Sequence, residues 1–175
     1  MKMYSTGDAG AFDALYERHR GALYRFMLRQ TGVAAVAEEL YQDVWTGIIR
    51  RRETYTPTAR FTTYLFQVAR NRLTDHYRKD KGRSLQMQGY DDDEHAAASS
   101  QQPDQQAEVQ DQYQRLLCYL KTLPEEQREA FLLRHDGGLS IDEIAGATGV
   151  NHETAKSRLR YAMNKLRTAM DRDEQ

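Results

Sequence analysis

Residues 151–167, NHETAKSRLRYAMNKLR, place cationic and hydroxyl side chains on one face of a helix. Lys156 and Arg160 stand four residues apart with Ser157 beside them. Their N–H donors suit guanine O6 and N7, and the hydroxyl can donate or accept at a base edge. His152, Thr154 and Arg158 fall where phosphate contacts would fix register, and Tyr161 flanks the same face. The opposite stripe, Ala155, Leu159, Ala162, Met163, Leu166 and Met170, is apolar and should pack inward.

Two further stripes carry chemistry. Tyr64, Gln67, Asn71, Thr74 and Arg78 recur at spacings of three and four, with Arg70 and Arg72 alongside. Rings that stack, amides that read base edges and cations that hold phosphates suit unpaired bases. Taken alone, this stripe also reads as a solvated helix face. Glu38, Glu39, Gln42, Asp43 and Thr46 form an acidic, amide-bearing face that repels DNA and favours a basic protein helix. Its carboxylates raise the question of metal or acid–base chemistry. His19, His76, His95, His135 and His152 show no ligand spacing, so the expectation is no metal, no cofactor and no catalytic group.

Helices must position these stripes. Periodicity of three and four predicts helices over 10–30, 34–51 and 58–79, a three-helix unit spanning residues 1–80. Phe12, Leu15, Tyr16, Leu23, Phe26 and Met27 face inward on the first. Residues 81–108 are polar and aperiodic and read as a flexible acidic linker. From 109 to 175 periodicity returns. Thr122 and Glu125 have capping-box spacing around Pro124, and Gly137 and Gly138 end that helix. Ser140 and Glu143 make a second capping box, Gly149 a tight turn, and Asn151 a cap for the last helix. A short helix, a glycine turn and a longer basic helix constitute a helix-turn-helix signature. The expected fold class is all-α: two small helical domains, the second containing the helix-turn-helix.

Composition agrees with polyanion binding more than the net charge of −1 suggests. Residues 60–83 carry +5, residues 88–111 carry −7 and residues 152–172 carry +4, so basic helices flank an acidic connector. The one cysteine, Cys118, excludes an internal disulfide and, within RLLCYL, is expected in the core. With no apolar run of about 20 residues and no signal-like N-terminus, a soluble cytoplasmic protein without membrane contact is expected.

AFDALYERHRGALYRFMLRQTG, AEELYQDVW, FTTYLFQVARNRLTDHYRK and LPEEQREAFLLRHDGGLSIDEIAGATGVNHETAKSRLRYAMNKLR occur in that order. Together they resemble the bacterial sigma-70 superfamily, within it the extracytoplasmic-function (ECF) group. The resemblance implies a promoter-specificity factor that binds core RNA polymerase through the β′ clamp coiled coil and the β flap. On that reading Glu38, Glu39, Gln42 and Asp43 dock on the clamp. The segment from Tyr55 through Asn71, including Arg60, Tyr64 and Gln67 and continued by Arg72 and Arg78, captures unpaired bases of the −10 element. His152, Thr154, Lys156, Ser157, Arg158, Arg160 and Tyr161 meet the −35 duplex. The family commonly has Trp where Tyr64 stands, which still allows stacking. A separate anti-sigma factor is the implied regulator. Two other readings stay open on the residues alone: a dimeric helix-turn-helix regulator, and a sigma mimic that titrates an anti-sigma factor.

Overall fold

A computed structural model describes residues 1–84 and 105–173, with side chains over 1–8, 10–79 and 114–172. The described residues form eight helices and no strand: α1 (Lys2–Ser5), α2 (Ala9–Thr31), α3 (Ala34–Arg50), α4 (Phe61–Ser84), α5 (Gln105–Thr122), α6 (Glu125–His135), α7 (Ile141–Thr148) and α8 (His152–Asp173). The central stretch 85–104 of the expected linker lies outside the described residues.

In the first unit, Asp8 Oδ1 caps α2 by accepting from the Ala11 N–H at 3.1 Å. Leu23, Phe26 and Met27 of α2 meet Ala37, Leu40, Val44 and Ile48 of α3 and Leu65, Phe66, Ala69 and Leu73 of α4, all buried. Each large aliphatic or aromatic side chain among them contributes about 1.5–3 kcal/mol by leaving water. Phe12, Leu15 and Tyr16 are only half-buried. There Phe12 and Tyr16 join Tyr4, Tyr41 and Trp45 in an aromatic cluster. α4 starts three residues after the expected Thr58, because the chain bends at 58–59, where the Thr58 N–H donates to the Thr56 carbonyl at 3.0 Å, and Arg60 accepts the first helical bond, from the Tyr64 N–H at 3.2 Å.

In the second unit the capping box of α7 is formed. The Ser140 hydroxyl accepts from the Glu143 N–H at 3.2 Å, and Glu143 Oε2 accepts from the Ser140 N–H at 2.8 Å. Gly149 (φ 70°) closes α7 in the left-handed conformation, and Asn151 Oδ1 accepts from the Thr154 N–H at 2.8 Å to open α8. The other expected capping box does not form. Thr122 instead donates to the Tyr119 carbonyl at 2.8 Å, and Pro124 stands at the start of α6 with no side-chain cap. The proline delays α6 and leaves Thr122 in the last turn of α5.

Two burial expectations are also corrected. Cys118 is exposed, because α5 turns Leu120 inward and half-buries Leu116 and Leu117, leaving position 118 outside. The inward seam of α8 is Ala155, Leu159, Ala162 and Leu166, while Met163 and Met170 are 54% and 47% exposed. A seam of spacing four, three, four is narrower than the apolar content of the helix.

The two units pack against each other, α6 on α2 and α7 on α4. Gly137, expected only as a helix stop, sits at this junction. A Cβ there would come within 2.7 Å of the Leu133 carbonyl oxygen and 3.2 Å of Phe66 Cγ. Only glycine permits that approach. Beside it, Arg29 Nη1 donates to Asp136 Oδ1 at 2.7 Å, Thr63 to Glu143 Oε1 at 2.6 Å, Arg70 Nε to Glu129 Oε1 at 2.9 Å and Arg128 Nε to Gln30 Oε1 at 3.2 Å.

Candidate nucleic-acid interface

The helix-turn-helix consists of α7, the Val150–Asn151 turn and α8. Burial of Ala155, Leu159, Ala162 and Leu166 against the second unit fixes the rotation of α8 and turns Lys156, Arg160 and Tyr161 to solvent. Ser157 and Arg158 are half-buried on the flank. The Arg160 guanidinium rests over the Tyr161 ring, 5.2 Å from its centroid, an arrangement that pre-orients the cation along the helix face. At the helix start, Thr154 is half-buried, and His152 lies between Glu153 (3.3 Å) and Asp142 (3.7 Å). Lys156 approaches Glu153 at 3.6 Å. The Glu153 carboxyl is held below the usual glutamate range by His152 and then by Lys156. The N-terminal end of α8 is therefore less cationic than its sequence suggests, and Arg160, against the Tyr161 ring, is an outward cation beyond that acidic cluster.

On α4 the stripe Gln67, Asn71, Thr74 and Arg78 is exposed and Tyr64 half-buried. Tyr55, from the loop before α4, meets Tyr64 edge-on with centroids 5.1 Å apart. Phe61 lies 6.3 Å from Tyr64, and His19 of α2 lies 5.3 Å from Phe61. Burial, reinforced by Arg18, lowers the His19 pKa and favours neutral imidazole, while burial raises the Tyr55 phenol. Four rings thus meet where two were expected. Arg60 is exposed in the loop and near Glu143 of α7.

Further along α4, Arg51, Arg70, Asn71, Arg72, Thr74 and Arg78 line an open groove of about 440 Å³ whose one acidic residue is Asp75. Four guanidiniums against one carboxylate make this groove attract an anion. Arg51, from the end of α3, escaped the sequence reading, because nothing local marks it as adjacent to α4. Arg29, Thr63, Glu129 and Asp136, and the contact of Glu143 with Thr63, were missed for the same reason: the partners lie 59 to 107 residues apart.

Glu38, Glu39, Gln42 and Asp43 are all exposed on α3. Gln42 Nε2 donates to Glu38 Oε1 at 2.9 Å, holding those two together. Glu39 and Asp43 face a second groove of about 380 Å³ shared with Arg72, Arg78 and Lys79 of α4. The acidic face and the basic α4 stripe are therefore adjacent surfaces, a juxtaposition that separate helical wheels do not reveal. Among the described residues no group of three or more His, Cys, Asp or Glu is placed to hold a metal ion, and no helix is long and apolar enough to cross a membrane.

The Sigma-70 region 2 family matches residues 15–83 and the Sigma-70 region 4 family residues 113–166. The ECF RNA polymerase sigma factor RpoE of Cereibacter sphaeroides is 33% identical over 93% of this chain and 88% of its own. The ECF sigma factor SigL of Mycobacterium tuberculosis is 32% identical over 95% and 92%. In fold, the chain is similar to Bartonella quintana RpoE, solved with the anti-sigma factor NepR (TM-score 0.78, 23% identity, 92% of this chain and 97% of that one). It also resembles CnrH, solved with the cytosolic domain of CnrY (TM-score 0.69, 21% identity, 97% and 93%). The chain accordingly belongs to the ECF sigma factors of the sigma-70 superfamily, the factors that bind core RNA polymerase and direct promoter-specific initiation of transcription.

Proposed function

We propose that the work of this sigma factor divides between its two helical units, residues 1–80 and 109–175, joined by 81–108. The first grips polymerase and an opened strand; the second reads duplex DNA upstream. The observation that carries this reading is the rotation of α8: its buried seam leaves Lys156 and Arg160 outward beside Tyr161, on the second helix of a helix-turn-helix. Lys156, Ser157, Arg160 and Tyr161 read the −35 element in the major groove, with His152, Thr154 and Arg158 toward phosphates. Tyr55 and Tyr64 stack on unpaired bases of the −10 element, Gln67 and Asn71 read their edges, and Arg60, Arg72 and Arg78 hold its backbone. Glu38, Glu39, Gln42 and Asp43 dock on the β′ clamp coiled coil, and the second unit meets the β flap.

The chain supplies binding energy rather than catalysis and works in the cytoplasm. Its control falls to an anti-sigma factor, as the complexes of RpoE with NepR and of CnrH with CnrY suggest by analogy. Permanganate footprinting, which reads unpaired thymines, and DNase I footprinting, which reads duplex protection, together test the division on a promoter bound by holoenzyme. Tyr64→Ala should abolish thymine reactivity at the downstream element while leaving upstream protection, and Lys156→Ala with Arg160→Ala should remove upstream protection first. Loss of both signals together in either variant counts against separate roles.

A further inference from the structure

Arg70 belongs to two places at once. Its side chain lines the basic groove of α4, beside Asn71, Arg72 and Thr74. Its Nε also donates to Glu129 Oε1 of α6 at 2.9 Å, across the junction between the helical units. The ion pair is mostly out of water, with side chains 25% and 16% exposed. Burial pushes the Glu129 carboxyl above its ordinary range, and Glu125 adds to this while Arg70 and Arg158 oppose it. Glu129 is thus an anion held at some desolvation cost beside a cluster of guanidiniums. A DNA phosphodiester carries the same single negative charge and likewise offers two acceptor oxygens to a guanidinium.

From this geometry we infer that Arg70 is a backbone-phosphate ligand of the strand groove which Glu129 holds in reserve. A single DNA strand and the second helical unit then compete for one guanidinium. Linkage is reciprocal: whatever frees Arg70 from Glu129 favours strand binding, and a bound strand weakens docking of the second unit. The inference rests on the reading of the α4 groove as a strand site.

Fluorescence anisotropy of the full chain with a fluorescein-labelled 12-nucleotide oligothymidylate tests it. Glu129→Ala should bind about threefold to tenfold more tightly than wild type, with a salt slope steeper by about 0.7, the increment for one phosphate on a single strand. Glu129→Gln keeps the side-chain volume and an acceptor, and should gain less in the same direction. Arg70→Ala should bind more weakly, and Arg70→Ala combined with Glu129→Ala should match Arg70→Ala alone. The inference is overturned if Glu129→Ala gains nothing, if wild type and Glu129→Ala both fail to bind, or if the gain survives in the double variant. In that last case unit separation alone accounts for it. Arg72→Ala and Arg78→Ala separate the two levels. If they weaken binding while Glu129→Ala has no effect, only the reserve role falls; if they leave binding unchanged, the strand groove itself falls.

Discussion

Arg29 on α2 and Asp136 at the end of α6 meet at 2.7 Å, with side chains 6% and 1% exposed. Arg25 (3.9 Å) and His135 (3.3 Å) also approach the same carboxylate oxygen. A buried pair broken on one side costs about 3–5 kcal/mol, because the surviving charge stays dehydrated. Here the survivor has an escape: the two units can separate and let Arg29 reach water.

Asp136→Ala should therefore open the molecule rather than unfold it. Spin labels on the exposed Cys118 and on an introduced Glu53→Cys give the distance between units by pulsed electron resonance. The expected result is a longer, broader distance distribution with helical circular dichroism preserved. An unchanged distribution would mean that the apolar contact of Phe66 with the Gly137 turn holds the units without the ion pair.

Acid should act on this junction in two opposite steps. Glu129 has a raised pKa when docked, so the docked form takes up a proton more readily than a separated one. Acidification through that raised value favours docking. Glu143 has a lowered pKa, first through the Thr63 hydroxyl and then through the Ser140 N–H. Its contribution is present above the ordinary glutamate pKa and is lost as pH falls through the depressed one. The Thr63 part and the smaller one from Arg60 disappear on separation, since both residues belong to the first unit, whereas the Ser140 cap is internal to the second. The label distance should shorten or hold steady from pH about 7 to about 5 and lengthen below about 4. Steady lengthening from neutrality would reverse the sign assigned to Glu129.

Asp43→Arg should abolish retention on immobilised core polymerase. It sets a cation in the acidic face of α3 and beside the existing Arg72 and Arg78. Unchanged retention would remove Asp43 from the docking surface.

Arg160→Ala should weaken holoenzyme binding at upstream duplex by about 1–3 kcal/mol and relax base preference at one position. Lys156→Ala should cost affinity there as well. If Arg160→Ala lowers affinity equally on every sequence, Arg160 is a phosphate contact and not a reader.

Local rules made much of the helical architecture legible. The Ser140–Glu143 box, the Gly149 turn and the Asn151 cap all follow from side chains acting within four residues of themselves, and all three form. The apolar period also placed α2 and α3 within a residue or two. It failed at Met163, Met170 and Cys118, because periodicity gives a side chain's direction but not the width of the surface that will cover it. Thr122 failed because Pro124 set the helix start instead. The junction was illegible for a different reason. Arg29, Arg70 and Thr63 look like ordinary polar helix residues until α6 and α7 arrive, and no local signal orders elements so distant in sequence. The exposed faces of α3, α4 and α8 could be drawn from spacing alone, whereas the adjacency of Asp43 with Arg72, and of Arg70 with Glu129, required the packed molecule.

Full extension of the 20 residues between Ser84 and Gln105 gives a reach of about 70 Å. That chain length is compatible with separating the two units along a promoter while both remain on one polypeptide.

Run-off transcription with purified bacterial core polymerase on a library of genomic fragments reads both promoter elements at once. The expected result is RNA starting at discrete sites that share two separated sequence elements, with the upstream one altered by Arg160→Ala and the downstream one by Tyr64→Ala. No defined starts above those of core enzyme alone, or starts indifferent to both substitutions, would contradict the proposed function.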